Sequence, residues 1–400
     1  MDKRNKIDNE IIEECYKKSI NLLLNNSSSY GILASAPSKR ARQRNYLSIF
    51  GRDASICSLG MVASKNQKLI NIAEKSLKNL AAYQAKNGQI PNYIKPEIKT
   101  ADFWYLGCID ATLWWLIAIK FFDKYSGKKL LLKNKLKQNI TKAIYWLENR
   151  EHQKFYLLEQ NEASDWADIM PRSGYVLYSN VLWSLAKRLY KLKNIEKTKN
   201  NLNFLFYPWQ KIPRSYFKKN HRAKKLIDYI KNGRNKLPHY LSFVNYSFWG
   251  EDDDVYANLL ACLFDLPNKK LKNNIINYLQ KEKGNSSFPV KTCFHPIKEN
   301  SKLWRPYMLT HKQNYPEQYH NGGIWPFISC FWPMLIYKEG DKNKAWQELE
   351  KIARANKLNN WEFNEWLHGK TGKPRGMDGQ SWNAGMFLLA YHYLNNKIKI

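Results

Sequence analysis

An all-α fold built from helix pairs is what this sequence predicts, and three observations carry the prediction. Apolar residues recur at three- and four-residue spacing in about a dozen stretches. Long alternating strands are scarce. Gly and Pro are spread along the chain with no low-complexity tract, so residues 1–400 read as a single domain. Four hundred residues, 44% hydrophobic, are enough for a large core.

In chain order, the spacing predicts helices over Glu10–Asn25, Asp53–Ser64, Gln67–Lys86, Gly107–Tyr125, Lys133–Asn149 and Tyr175–Lys193. It predicts further helices over Lys224–Lys231, Val255–Phe264, Lys270–Lys281, Ile324–Tyr337, Lys342–Ala355 and Ser381–Asn395. Phe288–Phe294 reads as a short strand. Several connectors are rich in Trp, Gly, Asn, Asp and His beyond what turns need. If helices alternate up and down around a ring, connectors at one end share a face and can assemble a cleft.

Composition narrows the function. The formal charge is +31. The basic runs Lys128–Lys137, Lys187–Lys199, Lys218–Lys236 and Lys269–Lys272 flank apolar segments and read as solvated surface. No zinc-knuckle, helix-turn-helix or RNA-reading motif accompanies the charge, so a noncatalytic binder of anionic polymer is the rival class. The six cysteines are scattered without a CxxC pair, which predicts reduced, mostly buried thiols and a cytoplasmic setting. The first ten residues are charged and lack an apolar signal core. No run is long and apolar enough to span a membrane. Fifteen Trp and 25 Tyr favour ligands with stackable faces, sugars among them.

The motifs point to paired carboxylates. Residues 161–183, NEASDWADIMPRSGYVLYSNVLW, place Glu162, Asp165 and Asp168 within seven residues, ahead of a helix. One acid would serve the helix dipole; three exceed that need. Trp361–Gly369 sets Glu365 between aromatics, where a carboxyl kept from water has a raised pKa suited to proton handling. Arg52 and Asp53 either cap a helix or grip sugar hydroxyls. Asp110 lies in an apolar helix, which is costly unless it is paired or faces a wet cleft. Asn87–Asn92 reads as a helix-ending turn, and Trp114 and Trp115 as core. Glu251–Asp254 lacks calcium-loop spacing and reads as a solvated, helix-capping loop, with Asn245 and Trp249 as further cleft candidates. His320 has no second ligand at metal spacing, so it reads as a hydrogen-bonding residue, and the glycines before Trp325 permit close backbone approach. No nucleophile elbow, P-loop, zinc-protease or dinucleotide motif is present. Acids with aromatics suit glycoside hydrolysis, which needs two carboxyl groups.

These motifs together resemble the alkaline/neutral invertases. More distantly they are similar to the glucosidases of glycogen debranching and to processing α-glucosidases. Glu365–Gly372, EWLHGKTG, resembles the invertase pattern E-Y-Y-D-G-K-T-G, and Tyr319–Gly323, YHNGG, matches that family letter for letter. Asp168–Arg172 resembles the D-x-x-P-R of processing α-glucosidases. The invertase pattern M-I-D-R-R-M-G is not reproduced around Asp168, and His368 stands where the invertase motif has an acid. The resemblance implies an (α/α)6 barrel and an inverting cleavage of an α-glucosyl bond. Asp168 is then the general acid and Glu365 the catalytic base, with Asp165 the rival for the acid. Arg52, Asp53, Asp110, Asp165, His320, Trp325, Trp366 and Gln380 would hold the sugar. Sucrose is the first expected substrate and an α-1,6-glucan branch or short α-glucoside the second. No metal or organic cofactor and no specific nucleic acid or membrane partner is expected; a homo-oligomer is compatible.

Overall fold

A computed structural model of the chain describes residues 7–104, 107–128, 135–233, 236–246 and 248–400. Six helices are enclosed on nearly every side: Gly51–Ala63, Ile109–Tyr125, Leu177–Tyr190, Val255–Leu263, the pair Pro326–Ser329 and Phe331–Lys338, and Ser381–Leu394. Their sequences are apolar around most of the circumference, which suits a helix with little or no solvent face. Each packs on the next in this order, and the sixth packs on the first. The ring closes by backbone contact. A Cβ on Gly60 of the first helix would stand 1.7 Å from the carbonyl oxygen of Gly385 in the sixth, so only glycine fits.

Outside this ring lie Asn9–Asn25, Gln67–Ala82, Lys135–Glu148, Ile195–Phe206, Lys269–Lys283 and Lys342–Trp361, each against an inner helix. These outer helices are amphipathic; Gln67–Ala82, for example, turns Leu69, Ala73, Leu77 and Leu80 inward. The architecture is the (α/α)6 barrel. One buried cluster runs from Ile11 to Ile398.

Several differences from the sequence reading have physical causes. Ile195–Phe206 is not evident in the sequence because Lys and Asn crowd its exposed face, and only Leu202, Leu205 and Phe206 provide deep apolar anchors. Conversely, the predicted Lys224–Lys231 helix exists as His221–Gly233 but stands outside the twelve of the barrel. Phe288–Phe294 is not a strand. The Thr292 N–H donates to the Gly323 carbonyl, and the Thr292 carbonyl accepts the Val255 N–H, so the backbone there serves a turn and a helix start. The fifth inner helix breaks at Cys330 because Pro333, lacking an N–H, cannot continue the bonding ladder across it. The start of the predicted Lys133–Asn149 helix and parts of the Lys128–Lys137 and Lys218–Lys236 runs lie outside the described residues.

Short antiparallel ribbons lie in the loops that lead into the inner helices: Ile49–Phe50 with Tyr93–Lys95 and Thr100–Asp102, Glu159–Gln160 with Gly174–Val176 and Phe243–Val244, and Trp366–Leu367 with Pro374–Arg375. They fix the loops at one end of the barrel. Several outer helices begin with side-chain caps, such as Asn66, Asn268 and Asp341. Among the inner helices Val255–Leu263 does so, through Asp254. The other inner helices start without a side-chain cap, leaving the positive ends of their dipoles at the face the ribbons frame.

Candidate active site

The predicted residues come together at that face, each from the start of an inner helix or the loop before it. Arg52 and Asp53 belong to the first helix, Asp110 to the second, and Asp165 and Asp168 to the loop entering the third. His320 and Trp325 precede the fifth, and Glu365, Trp366 and Gln380 precede the sixth. The third and sixth helices are opposite one another in the ring, so Asp168 and Glu365 approach from opposite sides.

The three acids of residues 161–168 have separate fates. Glu162 accepts hydrogen bonds from Tyr307 Oη at 2.7 Å and Arg305 Nε at 3.3 Å. Asp165 is buried, accepting from Gln160 Nε2 at 2.9 Å and the Ala167 N–H at 2.8 Å. Asp168 opens outward, with 46% of its side chain exposed. The surrounding walls still push its carboxyl up to about 6, opposed by Arg52 and aided by the Asp165 charge. Burial likewise raises the fully enclosed Asp110, to about 7, with Arg52 opposing. Asp168 Oδ1 lies 3.9 Å from His320 Nδ1, a buried nitrogen without a hydrogen-bond partner. Burial and the Arg172 and Arg52 charges hold His320 well below the usual imidazole range, so the ring is neutral. The contact is therefore no ion pair.

Glu365 is nearly enclosed at 4% exposure. Its Oε1 accepts from Tyr46 Oη at 2.6 Å and its Oε2 from the Met377 N–H at 2.9 Å. Gly376, at φ +77°, makes room for it: a Cβ there would stand 2.3 Å from Oε2. Burial raises Glu365 to about 7, the two hydrogen bonds opposing, with the charges of Asp53 and Asp168 adding to the rise. The Asp168 charge is the smaller contribution to that rise, and burial the main one.

Arg52 anchors the floor. Its Nε donates to Asp53 at 3.0 Å, its guanidinium is 3.8 Å from Asp110, and it lies 5.5 Å from the ring centre of Trp382. Asp110 accepts from Tyr178 Oη at 3.2 Å, and Tyr178 accepts from Trp114 Nε1 at 2.7 Å. Asp110 is thus the paired case of an acid in an apolar helix. Its Oδ1 is buried without a donor, and both amide atoms of Gln380 are buried without partners. Gln380 is fully enclosed at the start of the last helix. The walls are aromatic: Trp166 meets Trp325 edge-on at 5.7 Å, Tyr319 meets Trp366 at 5.9 Å, and His320 stacks on Trp325 at 5.4 Å.

Sequence reasoning missed Tyr46, Tyr178, Trp382 and Gly376. Tyr46 lies in a basic, unpatterned stretch, and only folding brings it to Glu365. The glycines of YHNGG serve packing. A Cβ on Gly323 would stand 2.5 Å from the Tyr319 carbonyl oxygen, and Gly322 takes φ +101°. Asn321 bonds Ile297 and Asn314. The Glu251–Asp254 loop is not solvated: Asp252, Asp253 and Asp254 are buried. Arg172 donates to Asp254 at 2.7 Å and to Asp252 at 3.0 Å, Asp253 accepts from the Phe294 and His295 N–H groups, and Asp254 caps the fourth inner helix. Asn245 and Trp249 line separate cavities away from the two carboxyls. Lys187 is also not surface: it is buried and ion-paired with Glu151. All six cysteines are free and buried. Among the described residues no helix is long and apolar enough to cross a membrane.

Known proteins are similar to this chain in part of its sequence and in its fold. Residues 254–397 match the family described as alkaline and neutral invertase. Alkaline/neutral invertase C, mitochondrial, of Arabidopsis thaliana is 24% identical over 139 residues, 34% of this chain and 20% of that protein. Neutral/alkaline invertase 1, mitochondrial, of Oryza sativa subsp. japonica is 24% identical over 137 residues, 33% and 21% of the two. The match thus spans about a fifth of these relatives' length. The family match includes Glu365 and His320, while Asp168, Asp110 and Arg52 lie before it. Among solved structures, a GH63 mannosylglycerate hydrolase from Thermus thermophilus in complex with glucose aligns with TM-score 0.60 at 13% identity, covering 94% of this chain and 99% of that one. A wild-type glycosidase aligns with TM-score 0.59 at 13% identity, covering 97% and 98%. The chain resembles the alkaline and neutral invertases over residues 254–397, and along nearly its whole length it has the (α/α)6 barrel of glycoside hydrolases.

Proposed function

We propose that the protein is an inverting glycoside hydrolase acting on an α-glucosyl bond, with Asp168 as general acid and Glu365 as general base. The observation that carries this reading is the pair itself: two carboxyls from opposite sides of one aromatic-walled face, both raised by burial. Their values, about 6 and about 7, mean that at a pH midway between them the pair holds roughly one proton. Hydrogen-bond geometry favours its residence on Asp168. Glu365 accepts from Tyr46 and the Met377 N–H, an arrangement that suits a carboxylate, whereas Asp168 has no such side-chain donor among the described residues. The higher value for Glu365 favours the reversed assignment, which the pH dependence of variants separates.

In the reaction, Asp168 would pass its proton to the leaving oxygen while Glu365, aimed by Tyr46, takes one from water attacking the opposite face of the anomeric carbon. Arg52 and Asp53 would hold hydroxyls, with Trp325 and Trp366 as walls. No cofactor is needed for these steps. The invertase match supports sucrose as first substrate, and an α-1,6-linked or short α-glucoside is second. His368 accepts the N–H groups of Lys370 and Thr371, a turn-forming role that supports no sugar contact for it. One barrel domain over the whole chain, action in the cytoplasm and a surface charge without a dedicated polymer partner complete the reading.

The test is turnover on sucrose, maltose, isomaltose, trehalose and glycogen by wild type, Asp165→Asn and Asp168→Asn. Asp168→Asn is expected to lose about 10²–10⁴-fold in kcat on the active substrate. Near-normal turnover by Asp168→Asn would remove it from the acid role.

A further inference from the structure

A large cavity along the ribbons is not at the carboxyl pair. It measures about 940 Å³, and Gln160, Glu162, Ser173 and Gly174 in its lining bracket the loop that carries Asp168. Gln160 forms part of its wall and, through its side-chain amide, donates to Asp165 at 2.9 Å on that loop. None of the residues assigned above as acid, base or floor lines it.

Its chemistry is that of a sugar site without a catalytic pair. Phe155 and Tyr175 meet edge to face at 5.9 Å and offer a half-buried aromatic corner. Tyr246, also in the lining, is 68% exposed, so its ring is open to a ligand in the cavity. Aromatic faces of this kind stack on the C–H faces of sugar rings. The polar lining supplies donors. Arg222 is exposed and makes no ion pair among the described residues, and Asn245 donates to Ser173 at 3.2 Å with its side-chain carbonyl left over. The acids, by contrast, are engaged. Glu151 accepts from Trp183 and pairs with Lys187, Glu159 accepts from Tyr175 at 3.1 Å, and Glu162 accepts from Tyr307 and Arg305. They can orient hydroxyl groups, but two opposed, free carboxyls are lacking.

We infer that this cavity is a second, noncatalytic carbohydrate-binding site that takes two or more rings of an oligosaccharide. Arg222 and Asn245 hydrogen-bond the hydroxyls, and Tyr246 closes over a ring held against Phe155 and Tyr175. Placed here, the sugar contacts the back of the catalytic loop through Gln160.

The test is titration calorimetry of maltotetraose, isomaltotetraose and sucrose into the Glu365→Gln protein, which lacks the proposed base. Arg222 and Tyr246 are exposed, so Arg222→Ala and Tyr246→Ala leave folding untouched. The expected result is a binding isotherm for at least one tetrasaccharide that weakens at least ten-fold in each of these variants. The inference is overturned if no sugar binds, or if every isotherm survives either substitution unchanged. The readout is the loss of binding on substitution of Arg222 or Tyr246, neither of which belongs to the proposed catalytic site, so a failed glycosidase assignment and a failed second site give different results.

Discussion

Around Glu365, small changes separate roles that proximity alone does not. Tyr46 Oη donates to it at 2.6 Å, stabilising the charged form and aiming the second oxygen. Tyr46→Phe removes that donor, so the base pKa rises. Because the base must be ionised, activity falls as pH drops through its pKa, and this acidic limb moves upward in Tyr46→Phe. We expect kcat at pH ~6 to fall by about ten-fold or more while kcat near pH ~8 changes less. Equal loss at both pH values would make Tyr46 a packing residue. At this scale the sequence was informative where a side chain is costly to place. Asp110 in an apolar helix and Glu365 among tryptophans were conspicuous for that reason. Tyr46, Tyr178 and Trp382 were not, because a tyrosine near arginines or a tryptophan in a helix looks like ordinary surface or core until the chain folds.

The loop of residues 161–173 owes its position to an ion-paired anchor at its end. Arg172 joins it to Asp252 and Asp254, and Asp254 also caps the fourth inner helix. All three are buried, so Arg172→Ala leaves two carboxylates enclosed without their cation. The expected cost is about 3–5 kcal/mol in denaturant unfolding. Activity should fall in the fraction that remains folded, because Asp168 belongs to the same loop. An unfolding midpoint within error of wild type would mean the anchor is dispensable. Eleven of the twelve barrel helices were legible as periodic stretches, since apolar spacing is imposed by the ring itself. Ile195–Phe206 was illegible because lysine and asparagine dilute its apolar stripe, and the acidic run at Glu251–Asp254 misled because burial of acids is visible only with Arg172 in place.

The whole molecule gathers acids at the positive ends of its inner helices, and that choice has a pH signature. A carboxyl whose folded pKa lies above its unfolded one holds its proton longer in the folded state. Its contribution to stability is therefore present below the unfolded pKa and lost as pH rises toward the folded one. For Glu365 the window runs from 4.5 to about 7, corresponding to about 3 kcal/mol. Glu365→Gln should gain stability over wild type progressively across that window, measured by urea midpoints at successive pH values; a constant offset would contradict the raised pKa. The ring of inner helices could be anticipated from helix pairing and resemblance, but its closure could not, because Gly60 and Gly385 are far apart in sequence and meet only in the completed barrel. The most direct test of the central claim is proton NMR of the sugar first released by wild type from whichever α-glucoside it cleaves. Asp168 and Glu365 acting through an intervening water predict β-glucose at the earliest time points. Initial release of α-glucose would contradict that mechanism.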